Sequence, residues 1–123
     1  MKAAHLLQGR DAETACYKHL KSKGLKFVEK NFSCRHGEID LIMLDKKTLV
    51  FIEVRFRKNN SFGSGLESVT QRKQIKLRKT AEFYLQQHNQ YENARFDVVS
   101  MSKNTQTNNT KQIYIFEWVN NAF

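Results

Sequence analysis

The sequence predicts a single α/β domain in which about five strands are flanked by two helices, in the order α-β-β-β-α-β-β. Two runs rich in β-branched and aromatic residues, at 37–44 and 49–57, are separated by the polar segment 45–48. This pattern is typical of an antiparallel hairpin of buried strands. Segments with helical spacing lie before and after the hairpin, and two further strand-like runs close the chain.

Composition and charge narrow the class of protein. Hydrophobic residues make up 40% of the 123 residues and charged residues 27%, as in globular domains. The chain has 21 Lys and Arg against 12 Asp and Glu, a formal net charge of +9. Such a surplus favours a polyanionic partner, nucleic acid before a membrane. No stretch approaches the roughly 20 apolar residues of a membrane span, and the first residues do not form a signal peptide. We therefore expect a cytoplasmic protein with no membrane partner.

The first helix is predicted from about Gly9 to Lys23. Ala12, Cys16 and Leu20 form an apolar stripe at spacings of four residues. Glu13 borders that stripe. Its carboxylate could extend into water, or it could turn towards the hairpin if the helix packs beside it, and the sequence leaves both alternatives open.

The remaining elements follow from local signals. Ser64 and Glu67 have the spacing of a capping box, which predicts a helix start immediately after it. The predicted elements are an outer strand at 25–32, a turn at 33–37, a second helix from Gly65 or Leu66 to Gln87, and strands at 94–101 and 113–119 joined by a polar linker at 102–110. Cys16 and Cys34 lack metal-ligand spacing, so we expect reduced thiols.

Side chains alternate between the two faces of a strand, which assigns the hairpin residues to two layers. The first strand is predicted to place Ile39, Leu41 and Met43 on one face. The second strand is predicted to place Glu53 and Arg55 together, on the face opposite Val50 and Ile52.

Antiparallel pairing brings Asp40, near the start of the first strand, close to Glu53, near the end of the second. Two desolvated carboxylates are unfavourable unless a positive charge compensates them. Magnesium binds through one or two carboxylates together with substrate phosphates. The alternative is that these charges only mark where the strands leave the core, with Asp40 paired to a nearby Arg or Lys. The spacing alone does not decide between the two.

Basic residues are expected around this end of the hairpin. The second helix has no acidic residue between Ser68 and Ala81, which favours phosphate contact over a merely solvated basic face. Gln71 belongs to the same segment. The predicted nucleic-acid-binding residues are Arg10, Arg35, Arg57, Lys58, Arg72, Lys73 and Lys76.

Three separated features carry a family resemblance: Glu13 after Gly9, then Gly37-Glu38-Ile39-Asp40, then Phe51-Ile52-Glu53-Val54-Arg55. The set resembles the PD-(D/E)XK nuclease superfamily, in which an Asp on one strand and a Glu-x-Lys on the next bind the metal. Glu13 is similar to the first-helix glutamate of the archaeal Holliday junction resolvases. The chain more closely resembles the YraN family of nuclease-like bacterial proteins. Further motifs of that resemblance are Gly9-Arg10, Phe62-Gly63, Arg95-Phe96-Asp97-Val98-Val99 and Asn121-Ala122-Phe123.

The resemblance implies a restriction-endonuclease-like fold with a mixed sheet and a nucleic-acid partner. By position, Asp40 and Glu53 become ligands of Mg²⁺ or Mn²⁺, with Glu13 a third acidic residue at the metal. Arg55 stands where the superfamily has lysine. Because arginine stays protonated at physiological pH, Arg55 can contact phosphate but cannot act as a base. Lys73 or a metal-bound hydroxide could take that part.

Two functional hypotheses follow. The first is a metal-dependent endonuclease acting on DNA, rather than RNA, at branched or otherwise structured sites. Its catalytic residues would be Glu13, Asp40, Glu53, Arg55 and Gln71, and a homodimer would suit cleavage of both strands. The second is a non-catalytic nucleic-acid-binding module of nuclease fold within a larger complex, motivated by Arg55 and the net charge.

Overall fold

The structure is a computed structural model that describes residues 2–57, 69–103 and 114–123, with side chains described from residue 11 onwards. Its elements are α1 (Lys2–Ser22), β1 (Lys26–Cys34), β2 (Gly37–Asp45), β3 (Thr48–Arg57), α2 (Gln71–Gln87), β4 (Asn93–Lys103) and β5 (Tyr114–Val119). The predicted α/β fold and its order of elements are confirmed.

The five strands form one mixed sheet in the order β1-β2-β3-β4-β5. Neighbouring strands are antiparallel except β3 and β4, which run parallel from Thr48 beside Asn93 to Arg57 beside Ser102. A parallel pair needs a crossover connection, and α2 lies in the connection between these two strands.

Each face of the sheet is covered by one helix. On the α1 face the buried residues are Ala12, Cys16, Leu20, Leu25, Leu41, Met43, Val50, Ile52, Val99, Met101 and Tyr114. On the α2 face they are Ile39, Ile42, Leu49, Phe51, Val69, Leu77, Ala81, Tyr84 and Val98. The predicted stripe of α1 and the predicted alternation along β3 therefore both correspond to buried layers.

The alternation predicted for β2 is wrong at Ile39. Leu41 and Met43 pack on the α1 face, but Ile39 packs on the α2 face. The ladder between β2 and β3 extends only from Asp45 to Leu41, so regular pairing stops beside Asp40. Because the strand is irregular at that position, the side chains before and after Asp40 do not follow one alternation.

Several predicted element ends are also corrected. The first helix begins at Lys2 rather than near Gly9, and β1 continues to Cys34, which leaves a two-residue turn before β2. The second helix begins at Gln71 rather than near Gly65 or Leu66. Thr70 is its N-cap, because the Thr70 hydroxyl accepts a hydrogen bond from the backbone N–H of Lys73 at 3.2 Å. The predicted capping box of Ser64 and Glu67 lies outside the described residues, as do Ile113 and most of the predicted linker.

Gly37 lets the start of β2 approach α2 closely. Its φ is +153°, and a Cβ atom there would lie 3.1 Å from the hydroxyl oxygen of Thr80. Thr80 is fully buried and donates a hydrogen bond to the carbonyl of Lys76 at 2.8 Å. A side chain at position 37 would therefore push against a packed helix.

A buried carboxylate joins β4 to the end of the chain. Asp97 is 1% exposed. It accepts hydrogen bonds from Nε of Arg95 at 3.0 Å, from the indole N–H of Trp118 at 2.9 Å and from the backbone N–H of Asn121 at 3.0 Å. Arg95 also pairs with Asp45 at 3.1 Å. These contacts satisfy the buried charge and hold residues 118–121 against the sheet.

The thiols of Cys16, which is buried, and Cys34, which is half-buried, are both free. Over the described ranges 2–57, 69–103 and 114–123, neither helix is long and apolar enough to cross a membrane.

Candidate functional site

A cleft of about 370 Å³ opens where β2 begins and β3 ends, between α1 and the first turns of α2. We name it the carboxylate cleft. It is lined by Ala12, Glu13, Glu38, Asp40, Glu53, Val54, Arg55, Phe56 and Lys73. Five predicted site residues are thus brought together by four different elements: Glu13, Asp40, Glu53, Arg55 and Lys73.

Asp40 takes part in the sheet through its side chain. The backbone N–H of Val54 donates a hydrogen bond to Oδ2 of Asp40 at 2.9 Å, just beyond the last regular pair of the β2–β3 ladder. Burial, together with charge repulsion and a hydrogen bond from the neighbouring Glu53, raises the pKa of Asp40 to about 8. Asp40 therefore keeps its proton to a higher pH than an exposed aspartate does.

Glu53 is the best buried of these carboxylates, since it is only 6% exposed. One of its oxygens, Oε2, lies 3.2 Å from Nη2 of Arg55 and 3.1 Å from Nζ of Lys73. Arg55 comes from the same strand, whereas Lys73 reaches across from α2. Two cations on one buried carboxylate offset the cost of desolvating it.

Glu13 is half-buried on α1 and faces the same cleft. Of the two alternatives left open by the sequence, its carboxylate turns towards the hairpin. Burial raises the pKa of Glu13, and the nearby negative charge of Glu38 adds to this effect. Lys30 and a hydrogen bond with Asn31 act in the opposite direction. Glu13 thus adds a third acidic group to the region around Asp40.

The oxygen ligands available in the carboxylate cleft are of the kind that a hard divalent cation prefers. Asp40 and Glu53 supply two adjacent carboxylates, the number through which Mg²⁺ is often held, with water and substrate oxygens completing its coordination. Within residues 11–57, 69–103 and 114–123, however, no three His, Cys, Asp or Glu side chains are grouped closely enough to hold a metal ion by themselves. By chemistry and number, the carboxylates of Asp40 and Glu53 could supply two ligands to a magnesium ion.

The other predicted site residues do not line the carboxylate cleft, or they lie outside the described residues. Gln71, Arg72 and Lys76 are exposed on α2, and Gln71 is not part of the described cleft lining. Arg35 is exposed in the turn before β2, and Arg57 is half-buried at the end of β3. The side chain of Arg10 and the whole of Lys58 lie outside the described part of the chain, so their predicted roles stay predictions.

Glu38 lines the carboxylate cleft but was absent from the predicted site. The sequence did contain a pattern that could have identified Glu38. Glu38 and Asp40 are two positions apart, and residues with that spacing share a face in a regular strand. The contact between Lys73 and Glu53 was also missed, because Lys73 was predicted to contact phosphate or to act as a base, and no carboxylate partner was assigned to it. No short-range pattern links position 73 to position 53.

Comparisons with known proteins identify relatives of this chain. The model of the family described as Uncharacterised protein family UPF0102 matches residues 12–101, which include every lining residue of the carboxylate cleft. A UPF0102 protein of Alcanivorax borkumensis is 47% identical over 117 residues, covering 94% of this chain and 90% of its own length. A UPF0102 protein of Ectopseudomonas mendocina is 42% identical over 123 residues and covers 98% of both chains. One of Pseudomonas aeruginosa is 41% identical over 118 residues, covering 94% of this chain and 91% of its own.

The family match spans most of the chain, and these relatives align with it almost from end to end. The resemblance to the YraN family, inferred from the motifs around Glu13, Asp40 and Glu53, is confirmed at the level of the family. This chain belongs to protein family UPF0102.

Proposed function

We propose that this chain is a metal-dependent endonuclease that hydrolyses phosphodiester bonds in DNA, at branched or otherwise structured sites. The observation that carries the proposal is the convergence of Asp40, Glu53, Arg55 and Lys73 on one cleft. Acidic and basic groups together in a cleft suit a reaction in which a phosphate gains negative charge and water attacks it.

Asp40 and Glu53 would hold Mg²⁺ or Mn²⁺, with Glu13 the third acidic group near the ion. The close approach of the two carboxyl groups supports this assignment, because a divalent cation would remove the repulsion that raises the pKa of Asp40. When bound, such an ion supplies charge stabilisation for the phosphate and lowers the pKa of water at the site.

Lys73 is the proposed counterpart of the lysine that the Glu-x-Lys motif lacks here. Its ammonium group contacts the same oxygen of Glu53 as Arg55 does, although it comes from α2. Arginine keeps its proton, so Arg55 is suited to binding a phosphate oxygen. A lysine can both donate and accept a proton, so Lys73 is suited to orienting the attacking water or taking its proton.

The charge outside the cleft supports a polyanionic substrate. Arg72 and Lys76 are exposed on α2, the helix that also provides Lys73, and the net charge of the chain is +9. Exposed basic side chains position a nucleic-acid backbone through its phosphates. We propose DNA rather than RNA as the substrate, action in the cytoplasm, and a homodimer where both strands are cut.

The direct test is cleavage of labelled linear, flapped and four-way-junction DNA, and of structured RNA, with Mg²⁺ or Mn²⁺. We expect cleavage by the wild type and its loss in Asp40→Asn and Glu53→Gln. Lys73→Ala and Lys73→Arg should both lower the rate by about 10²-fold or more, the usual contribution of a general acid or base. Lys79→Ala is the matched control on α2, since Lys79 is exposed and does not line the carboxylate cleft.

Each outcome has a distinct meaning. Cleavage that persists in Glu53→Gln would refute the assigned site. Full activity in Lys73→Arg would show that Lys73 acts only through its charge. Salt-dependent DNA binding by the wild type without any cleavage would replace the enzyme with a binding module of nuclease fold.

A further inference from the structure

A second and larger cleft adjoins the carboxylate cleft. It has a volume of about 630 Å³ and lies between α1 and the edge strand β1. Its walls include Tyr17, Phe27, Lys30 and Asn31, and we name it the aromatic cleft. The volume lies within the range of about 300–1,000 Å³ typical of sites for small ligands.

Phe27 is exposed to an unusual degree for its type. It is 47% exposed and lies on the outermost strand of the sheet. Its ring meets that of Tyr17 in a T-shaped arrangement, with the ring centroids 5.2 Å apart and the planes at 77°. The register of β1 against β2 shifts between Phe27 and Glu29, and such irregularities often redirect a side chain next to a functional site. An uncovered aromatic ring supported by a second ring is a surface on which a planar base can stack.

Polar groups stand beside these rings. Asn31 has a positive φ of 56°, an uncommon backbone conformation for a residue other than glycine, and is exposed. Its side-chain amide makes a hydrogen bond with Glu13, and the N–H and the oxygen that remain can pair with the edge of a base. Lys30, also exposed, provides a cation for a phosphate. The aromatic cleft thus combines a stacking surface, a hydrogen-bonding amide and a positive charge.

The two clefts meet at shared residues, since Glu13 and Asp40 line both of them. A polynucleotide with a phosphate in the carboxylate cleft would therefore have a neighbouring nucleotide at the aromatic cleft. A base inside a regular duplex is stacked and paired, and it cannot reach a protein ring without leaving the helix. Only an unpaired base is free to enter.

We propose that the aromatic cleft binds an unpaired nucleobase of the DNA substrate, with Phe27 and Tyr17 as the stacking surface. This inference rests on the proposed function and makes it more specific. The preferred substrate is then DNA with an unpaired nucleotide next to the bond that is cut, as at a bulge, a flap or a branch point. Phe27 and Asn31 become determinants of specificity, while Asp40 and Glu53 serve any phosphodiester.

The test compares two DNA duplexes that differ only in whether one 2-aminopurine is paired or bulged. Binding is measured by fluorescence anisotropy, with Ca²⁺ in place of Mg²⁺ to limit cleavage, and stacking is measured by quenching of the 2-aminopurine fluorescence. We expect the wild type to bind the bulged duplex more tightly and to quench its fluorescence. Phe27→Ala should lose the quenching and weaken binding of the bulged duplex by between about 5-fold and about 100-fold, the usual contribution of one stacked base. Its affinity for the paired duplex should not change.

Matched variants separate stacking from folding. Phe27→Trp keeps a planar ring and should retain both the quenching and the preference. Ile115→Ala removes an apolar side chain of similar exposure, 37%, from the opposite edge strand, and should behave as the wild type. Thermal unfolding of each variant shows whether it is folded at the assay temperature.

The possible failures are distinguishable. Equal, salt-dependent binding of both duplexes by the wild type, unchanged in Phe27→Ala, would overturn the base-binding cleft and leave the proposed nuclease intact. Absence of binding to any DNA at low salt would overturn the nuclease, and the base-binding cleft with it.

Discussion

Replacing Asp40 by asparagine should make the metal-free protein more stable at neutral and alkaline pH. The pKa of Asp40 rises from its ordinary value of 3.8 to about 8, chiefly because the group is buried beside Glu53. A carboxyl group with a raised pKa in the folded state contributes stability below its unfolded pKa and loses that contribution as the pH rises through the folded pKa. Asparagine has the same shape and cannot ionise, so it avoids this loss.

The size of the effect follows from the pKa. At pH 7 the unfolded chain has this carboxyl group ionised, whereas the folded chain keeps it largely protonated. Between the unfolded and the folded pKa, each pH unit lowers the free energy of unfolding by about 1.4 kcal/mol. The roughly three units from the unfolded pKa to pH 7 therefore correspond to about 4 kcal/mol. The asparagine amide replaces the hydrogen bond between the protonated Asp40 and Glu53 only in part, so some of this gain is lost. We therefore expect a gain of about 2–4 kcal/mol, or on the order of 10 °C in the melting temperature.

The assay is urea unfolding of the wild type and Asp40→Asn in EDTA at pH 5 and pH 8. The gain should be clearly smaller at pH 5, because that pH is only about one unit above the unfolded pKa. Asp45→Asn is the matched control at the other end of β2. It removes the ion pair with Arg95 and should lower the stability by up to about 1 kcal/mol at both values of pH. A loss of stability in Asp40→Asn at pH 8, or an equal gain at both values, would refute the reasoning.

Three further substitutions test other parts of the structure. Asp97→Ala should destabilise by about 3–5 kcal/mol in urea unfolding followed by tryptophan fluorescence, because Arg95, the Trp118 indole N–H and the Asn121 backbone N–H all lose the buried carboxylate that they bind. A loss below about 1 kcal/mol would contradict the assigned network. His19→Phe should make the protein gain more stability, or lose less, than the wild type when the pH is lowered from 7 to 5, since burial lowers the pKa of His19 and the unfolded chain binds this proton before the folded chain does. Unfolding midpoints at the two values of pH measure this, and the same difference in His19→Phe as in the wild type would contradict the expected contribution of His19. Gly37→Ala should cost about 1–3 kcal/mol through its contact with Thr80, and a thermal melt equal to that of the wild type would show that α2 yields there.

Much of the fold was predictable because periodicity records burial directly. Ala12, Cys16 and Leu20 are at most 1% exposed, as the stripe of α1 requires. The alternation of β3 likewise matches the two buried layers, with Val50 and Ile52 on the α1 face. These patterns depend on which face of an element meets the core, and this is encoded residue by residue.

The start of α2 was less predictable because competing capping signals lie close together. The sequence spacing of Ser64 and Glu67 matches a complete capping box, whereas Thr70 has a lysine three residues later in place of the acidic partner. The helix nevertheless begins after Thr70, whose hydroxyl caps the N–H of Lys73. Local sequence describes the strength of a cap, but the position of α2 also depends on how the crossover packs on the sheet.

Some contacts of the candidate site could be predicted from local sequence, and others could not. Asp40 and Glu53 could be placed together because hairpin pairing is a local constraint, and the carboxylate cleft contains both. The contact of Lys73 with Glu53 joins elements on either side of the crossover, and the exposed Phe27 lies next to a register shift in β1. Both arise from tertiary packing, which no spacing in the sequence reports. The roles of these residues in cleavage stay predictions.

The hydrogen bond between the Val54 amide and Oδ2 of Asp40 has a spectroscopic consequence. This amide belongs to β3, yet its proton is held by a side chain of the carboxylate cleft. Its NMR resonance should therefore move when Asp40 gains a proton, and it should move again when a cation approaches the carboxylate. The resonance of this one backbone amide would then report both titration and ion binding at the carboxylate cleft, without any nucleic acid present.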